Sequence, residues 1–328
     1  MMEERMGVRM AMVEEQSIES FMRGLIDYAG LFPPARLPLE EALDNFVSYR
    51  QSADSWMLGK FILPFDSLEE LVELFPNLPP GTYLPLSLTR RNCGQLYDFY
   101  ERFCKELQII EDFNWKHGHL AEIIMFEIPL PQGIPNKNEL LLLASLGQAA
   151  NIKLFLEIMV SDQENWEQQL IQTLDVFAQT NSLVSSALGV KFRTGGLEAK
   201  MFPSPEKLSA FLYHCAERRL QIKFTAGLHH PVRMFRHEVG TKMHGFVNVF
   251  TAGLFAYAHQ LNKEALTELL KDESPENFCF QPEQLSWKNN QITVQDIRRS
   301  RKHLFSYGSC SFDEPRDELR ELHILKEA

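Results

Sequence analysis

Residues 189–196 read GVKFRTGG and residues 222–227 read IKFTAG. Each is a short apolar run that ends in glycine, which is typical of a buried β-strand leading into a turn. Each also carries a lysine inside the apolar run, Lys191 in the first and Lys223 in the second. We therefore predict two neighbouring strands with a buried cation on each.

The side of the sheet on which these lysines lie follows from the period of a strand. Because alternate residues share a side, Lys191 groups with Arg193, and Lys223 groups with Thr225. If that side is the lumen of a barrel, the two lysines face each other near the carboxyl ends of the strands, where barrel active sites lie. The glycines there let the backbone approach a ligand closely, and they are Gly195, Gly196 and Gly227.

The rest of the chain follows the same plan. Short apolar runs alternate with longer amphipathic segments, as in the β-α crossovers that build a parallel sheet. Eight runs spaced about 30 residues apart favour a closed barrel, and no G-x-G-x-x-G motif follows the first run to indicate a dinucleotide-binding sheet. An open doubly wound sheet is the alternative. The predicted strands are Ile26–Phe32, Met57–Pro64, Tyr83–Thr89, Leu120–Pro129, Ile152–Val160, Leu188–Thr194, Ile222–Gly227 and Gly245–Phe250.

We therefore predict an α/β fold, a (β/α)8 TIM-like barrel with a C-terminal helical appendage. Residues 1–16 form a flexible leader, residues 17–262 the barrel, and residues 263–328 the appendage packed on the barrel. The helix after Ser204 is the best defined, because a capping hydroxyl precedes Pro205 at the first helical position. The predicted barrel helices are Ser67–Phe75, Gln95–Leu107, Asn138–Ala150, Trp166–Gln179 and Glu206–Arg218.

Composition and charge exclude several classes of protein. The 328 residues are 45% hydrophobic and 23% charged, as in ordinary globular proteins, and the net charge of −11 repels nucleic acid. The basic cluster within residues 298–302 is typical of a solvated helix face. The five cysteines are scattered singly, which indicates reduced thiols, and Cys310 is interpreted as a buried thiol in a tight turn. With no secretory signal or bilayer-spanning apolar run, we expect a soluble, cytoplasmic protein that binds neither nucleic acid nor membrane.

Residues 188–233 resemble the sixth and seventh strands of class I, Schiff-base aldolases of the deoxyribose-phosphate aldolase type. Lys191 stands where that family has its Schiff-base lysine, in a Lys-Thr-Ser-Thr-Gly run. Lys223 stands where the family has a second lysine, which lowers the pKa of the first, before an Ala-Gly-Gly turn. The spacing of the two lysines is also close to that of the family. The resemblance implies a lyase in which Lys191 attacks a carbonyl group.

Three departures from this family bear on the substrate and the chemistry. Leu228 replaces the second glycine of the turn. The predicted eighth strand, Gly245–Phe250, ends without the Gly-Ser turn that helps the family bind phosphate, which argues against a phosphorylated substrate. The third strand offers Ser87 and Thr89 in place of a catalytic aspartate.

Four segments together resemble a second family, the uncharacterised (β/α)-barrel-like proteins of bacteria and plants. Because that family has no established activity, the resemblance supports the boundaries of the fold and not a mechanism. The segments are DYAGLFPP at 27–34, KFRTGG at 191–196, TAGLHHP at 225–231 and GSCSF at 308–312.

Three carboxylates lie inside predicted strands, namely Asp27, Glu127 and Glu157. A buried charge is costly unless it is paired, so we expect each to face the lumen near Lys191, Arg193 or Lys223. They then either take part in the chemistry or form an ion-pair network that fixes the barrel.

Two histidines flank the predicted last turn of the barrel, His229 after the seventh strand and His244 before the eighth. A metal site can be drawn from these histidines with Glu127 and Glu157, although no H-x-H or H-E-x-x-H spacing supports it. A more modest role for His229 is proton transfer or hydrogen bonding to the substrate.

Three functions remain open on these observations. The leading one is an enzyme that acts on a small carbonyl-containing metabolite, a Schiff-base aldolase-like lyase with no cofactor. The second is a metal-dependent hydrolase or isomerase. The third is a non-catalytic binding or scaffold barrel, whose acidic surface and helical tail would serve a homo-oligomer or a protein partner. For the leading function the predicted catalytic residues are Lys191, Lys223, Glu157 and His229. The predicted substrate-binding residues are Arg193, Asp27, Glu127, Thr225, Gly195, Gly196 and Gly227.

Overall fold

The computed structural model describes residues 16–90, 99–131, 133–160 and 163–325. Eight parallel strands close into a barrel, which confirms the predicted TIM-like fold. In chain order the barrel strands are β1 Ile26–Tyr28, β2 Leu58–Pro64, β3 Leu84–Thr89, β4 Ala121–Pro129, β5 Lys153–Ile158, β6 Gly189–Arg193, β7 Gln221–Thr225 and, much later, β13 Leu304–Ser309. The remaining strands are β8 Met234–Arg236 with β9 Thr241–Met243, and β10 Phe278–Gln281, β11 Gln284–Trp287 and β12 Asn290–Thr293.

Helices surround the barrel and connect its strands. They are α1 Gln16–Met22, α2 Leu39–Gln51, α3 Leu68–Leu74, α4 Phe99–His117, α5 Lys137–Ala149, α6 Trp166–Asn181, α7 Pro205–Glu217, α8 Phe246–Tyr257, α9 Lys263–Lys271, α10 Val294–Ser300 and α11 Asp313–Glu321. Short 3₁₀ turns lie at Ser55–Met57, Phe65–Ser67, Phe75–Asn77, Ala199–Met201 and Pro275–Asn277. Within the described ranges, no helix has the length and apolar character needed to cross a membrane.

The last barrel strand lies where the sequence analysis placed the appendage. β13 pairs with β1 on one side and with β7 on the other, and so closes the barrel. The predicted eighth strand, Gly245–Phe250, is instead largely the start of α8. That run was ambiguous because α8 is buried on nearly every side and so lacks the polar face that marks a helix.

The predicted domain boundary at residue 262 is therefore wrong. Residues 263–303 contain α9, the antiparallel sheet β10–β12 and α10, and the chain then returns to the barrel as β13. In the basic cluster Arg298, Arg299 and Lys302 are exposed, as predicted for a solvated face, whereas the Arg301 guanidinium donates to the Leu304 and Phe305 carbonyl oxygens. The predicted leader lies outside the described residues apart from Gln16, where α1 begins.

Local packing explains why the lysine-bearing strands turn their basic side chains inward. On β6, Phe192 stacks on Phe211 of α7 with ring centroids 4.3 Å apart. On β7, Phe224 meets Phe250 of α8 at 5.4 Å. Burying each ring under a helix stabilises the fold by about 2 kcal/mol, and the alternation along a strand then sends the flanking residues into the lumen.

Candidate active site

Lys191 and Lys223 meet in the lumen, as their spacing predicted. The two residues are register partners on β6 and β7, and they are 5% and 0% exposed. Their Nζ atoms contact opposite oxygens of one carboxylate, with Lys191 3.0 Å from Glu127 Oε2 and Lys223 3.0 Å from Glu127 Oε1. One buried glutamate therefore bridges the two ammonium groups.

Asp27 of β1 binds Lys223 from two strands away, across the intervening β13. Its Oδ2 atom accepts hydrogen bonds from the Lys223 ammonium and from the Ser306 hydroxyl of β13, the latter at 2.6 Å. Its Oδ1 atom accepts from the Lys60 backbone N–H at 2.7 Å and lies 3.5 Å from Lys60 Nζ. Gly59 is required beside it, because a Cβ atom there would lie 2.1 Å from Asp27 Oδ1.

Glu157 holds Lys191 at the outer end of the same cluster. Its Oε2 atom lies 3.0 Å from Lys191 Nζ, and its Oε1 atom lies 3.1 Å from Arg193 Nη2. The predicted pairing of the strand carboxylates with Lys191, Arg193 and Lys223 is therefore confirmed.

The carboxylates keep both lysines charged. Burial alone would lower the pKa of Lys191, but Glu127 and Glu157 outweigh burial and raise that pKa above its ordinary value. Burial would likewise lower the pKa of Lys223, and Asp27 and Glu127 raise it. The expectation that Lys223 lowers the pKa of Lys191 is therefore wrong, because two carboxylates lie against each ammonium group.

The same contacts hold the acids in their ionised form. Burial would raise the pKa of Glu127, but Lys191 and Lys223 lower it to about 2. Burial would also raise the pKa of Asp27, which Lys223 and Lys60 lower to about 2. The pKa of Glu157 is lowered as well, since Lys191 and Arg193 outweigh its burial.

A cavity of about 640 Å³ opens over this cluster at the carboxyl ends of the strands. Lys191 lines it, whereas the fully buried Lys223 is not among its lining residues. Asp27 and Gly195, predicted to bind substrate, also do not line it, because Asp27 is fully buried against Lys223 and Gly195 packs against another backbone segment. The predicted site residues that do line the cavity are Glu127, Glu157, Arg193, Gly196, Thr225, Gly227 and His229.

Gly195 and Gly227 allow two turns of the chain to touch. Gly227 has φ +76°, and a Cβ atom on it would lie 2.6 Å from the Gly195 Cα. Replacement by alanine would therefore add a steric conflict to a left-handed backbone conformation. These glycines thus allow the segments after β6 and β7 to touch beside the cavity, which Gly227 lines.

Gly227→Ala is expected to lower the free energy of unfolding by about 2 kcal/mol or more, measured by urea denaturation. Gly240→Ala is the matched control, because Gly240 has φ +65° but its added Cβ would meet no described atom within 4 Å. In this control only the left-handed backbone conformation is unfavourable, and it is expected to lower the free energy of unfolding by about 1 kcal/mol. Equal losses in the two variants would contradict the contact between Gly195 and Gly227.

His229 lies at the cavity beside a thiol. Its Nδ1 atom is 3.7 Å from Cys310 Sγ and 3.6 Å from Glu314 Oε2. Burial alone would lower the pKa of His229, but the contacts with Cys310 and Glu314 raise it to about 9. The imidazole is therefore positively charged at neutral pH.

The structure does not assemble the metal site drawn from the sequence. His244 Nε2 lies 2.7 Å from the Pro203 carbonyl oxygen, and His244 Nδ1 lies 3.3 Å from Arg233 Nη1, so both ring nitrogens already have partners. The carboxylates of Glu127 and Glu157 are bound to Lys191. Among the described residues, the one group with ligand atoms close enough for a metal is His230, Glu314 and Glu318. Arg236 already lies there, with Nη2 2.6 Å from His230 Nδ1 and 3.2 Å from Glu318 Oε1.

The observed eighth strand, β13, ends differently from the predicted one. β13 ends in Gly308-Ser309, whereas the predicted eighth strand had no such pair at its end. The inference against a phosphorylated substrate relied on Gly245–Phe250 as the eighth strand and therefore loses that support.

Sequence reasoning missed several members of the site. Lys60 carried the same signal as Lys191, a lysine inside an apolar run, and was overlooked. Ser306 and the proximity of Cys310 to His229 had no readable signal, because β13 itself was not predicted. Arg90 also lines the cavity directly after β3, and its guanidinium is buried against Glu106.

No protein-family model matches the chain, and no curated protein sequence matches it either.

Proposed function

We propose that this protein is an enzyme that acts on a small, anionic, carbonyl-containing metabolite through a Schiff base at Lys191, as a class I aldolase-like lyase. One observation carries the proposal: Lys191 faces the cavity while its Nζ atom lies 3.0 Å from oxygens of both Glu127 and Glu157. A barrel of this kind is compatible with an enzyme, and barrels carry their active sites at this end.

The two carboxylates supply the base that a charged lysine needs. Lys191 transfers a proton to Glu157, and its amine then adds to the substrate carbonyl carbon to form a C–N bond. The carbonyl oxygen takes one proton from the added nitrogen and one from a nearby acid, and leaves as water. The product is a protonated imine that can accept the electron pair of an adjacent C–C bond. Glu157 suits the acceptor role better than Glu127, because Glu127 is also bound by Ser87 and Lys223.

The imidazolium of His229 is the candidate proton donor in this scheme. It lines the same cavity, and a donor near the carbonyl oxygen assists its departure as water. Lys223 acts as a positioning residue, since it holds Glu127 Oε1 and so leaves Oε2 directed at Lys191.

The charge of the cavity favours an anionic substrate. Although the protein carries a net charge of −11, the lining includes Arg36, Lys191, Arg193 and charged His229 against the carboxylates Glu127 and Glu157. The Arg193 side chain is 45% exposed, so its remaining donors can fork to a carboxylate or phosphate. A focused positive potential of this kind concentrates small anions.

Borohydride trapping tests the proposal. With a panel of 2-oxo acids and anionic aldehydes, we expect reduction to add substrate mass at Lys191, located by peptide mass spectrometry. Lys191→Arg keeps the positive charge and is expected to reduce trapping by about 100-fold or more. Because the pKa of Lys191 is raised, trapping by the wild-type protein is expected to increase as the pH rises from 7 to 10.

Lys153 is an internal reference for unspecific amine chemistry. It lies at the start of β5, and burial lowers its pKa to about 8, so it is more often neutral than Lys191. A reagent that selects only for neutral amines would therefore label Lys153 first. Mass at Lys153 with none at Lys191, across the whole panel, would overturn the proposal.

A further inference from the structure

A thiol and an imidazolium meet in the wall of the cavity. Cys310 follows β13 and His229 follows β7, and these two strands are neighbours in the barrel. Both residues line the cavity, and Cys310 Sγ lies 3.7 Å from His229 Nδ1. The pair is therefore formed by the fold itself, at the end of the barrel where substrates bind.

A positive charge lies beside the thiol. Glu314 Oε2 lies 3.6 Å from His229 Nδ1 and supports the positive charge of the ring. A neighbouring positive charge stabilises a sulfur anion by direct attraction, and the anion is the form that attacks electrophiles.

The cavity adds a preference for the charge of the incoming molecule. Cys310 shares its walls with Lys191, Arg193 and Arg36, so an anionic reagent is drawn in while a neutral one is not. We propose that Cys310 and His229 form a thiol–imidazolium site that reacts covalently with small anionic electrophiles entering the cavity. This site is independent of Schiff-base chemistry at Lys191.

Iodoacetate is a suitable probe because its reaction is simple. The sulfur anion attacks the carbon that bears iodine, a C–S bond forms, and iodide leaves with the electron pair of the C–I bond. Nothing is oxidised or reduced. Iodoacetamide undergoes the same substitution without the negative charge, so the pair of reagents isolates the effect of charge.

The other cysteines of the described residues serve as internal references. Cys104 and Cys279 are exposed, whereas Cys310 is 9% exposed and Cys215 is fully buried. If access alone set the rates, Cys104 and Cys279 would react before Cys310. The proposal predicts the opposite order for iodoacetate.

The test measures the alkylation rate of each cysteine in the folded protein by peptide mass spectrometry. We expect the ratio of iodoacetate rate to iodoacetamide rate to be about tenfold or more higher at Cys310 than at Cys104 and Cys279. His229→Gln is expected to slow the alkylation of Cys310 by both reagents by about tenfold, because it removes the group beside the sulfur while Lys191, Arg193 and Arg36 remain. His237→Gln is the matched control, since His237 is exposed and its one described ring contact is with Phe235.

The result has two clear readings. A high ratio at Cys310, with an alkylation rate that falls in His229→Gln and persists in His237→Gln, supports the site. A ratio at Cys310 equal to that of the exposed cysteines, or a Cys310 rate unchanged in His229→Gln, overturns it. Neither reading depends on trapping at Lys191, so failure of the proposed function would leave this result intact.

Discussion

Glu127→Gln is expected to lower the free energy of unfolding by about 3–5 kcal/mol at pH 7. Among the described residues, Glu127 is the carboxylate that contacts both Lys191 and Lys223, and it is 1% exposed. The amide keeps the shape of the side chain but removes the negative charge. The two buried ammonium groups then have less negative charge beside them. This loss lowers the free energy of unfolding far more than the loss of one hydrogen bond does.

Glu122→Gln is the matched control for that variant. Glu122 lies on the same strand, but its side chain is near the surface and accepts a hydrogen bond from the Tyr83 hydroxyl. The same chemical change there is expected to cost about 1 kcal/mol or less. Urea denaturation of both variants at pH 7 measures the difference. Similar small losses in both would show that the central cluster contributes little to stability.

The first seven strands were predictable because each is a short apolar run bounded by residues that break regular structure. The prediction for β6 was Leu188–Thr194 against an observed Gly189–Arg193, and for β4 it was Leu120–Pro129 against Ala121–Pro129. The start of α7 was also predictable, since the Ser204 hydroxyl accepts from the Lys207 N–H next to Pro205. Local chemistry sets these boundaries.

The eighth strand was not predictable by the same reasoning. β13 reads LFSYGS, in which Ser306 and Ser309 interrupt the apolar run, while the start of α8 reads FVNVF and has the composition of a strand. β13 becomes a strand because it fills the place between β1 and β7 and so closes the barrel. Since β1 lies more than 200 residues earlier in the chain, a local sequence pattern does not reveal this pairing. Because β13 was not predicted, the proximity of Cys310 to His229 was not predicted either.

The charge states of Lys191 and Lys223 could not be predicted from the sequence for a different reason. The period of two correctly placed Lys191 and Lys223 on one wall. Whether those cations lower each other's pKa depends on where the carboxylates lie, and Glu127 reaches both ammonium groups from across the sheet. Only side-chain distances across the barrel decide between repulsion and pairing.

Asp27→Asn is expected to destabilise the protein by about 2–3 kcal/mol at pH 7, with the difference from wild type vanishing near pH 2. Folding lowers the pKa of Asp27 from 3.8 to about 2, because Lys223 and Lys60 outweigh its burial. The ionised carboxylate therefore stabilises the folded state at every pH above 3.8. This contribution is lost as the pH falls through about 2, where the wild-type carboxyl is itself neutral.

Glu127 adds a contribution of the same sign, since folding lowers its pKa from 4.5 to about 2. Together the two carboxylates are expected to cost the wild-type protein about 5 kcal/mol of stability between pH 5 and pH 2, measured by urea denaturation at a series of pH values. Asp66→Asn, at an exposed position just after β2, is the matched control and is expected to change stability by less than about 0.5 kcal/mol at each pH. A destabilisation by Asp27→Asn that stays constant from pH 7 to pH 2 would mean that lost hydrogen bonds, and not ion pairing with Lys223, account for it.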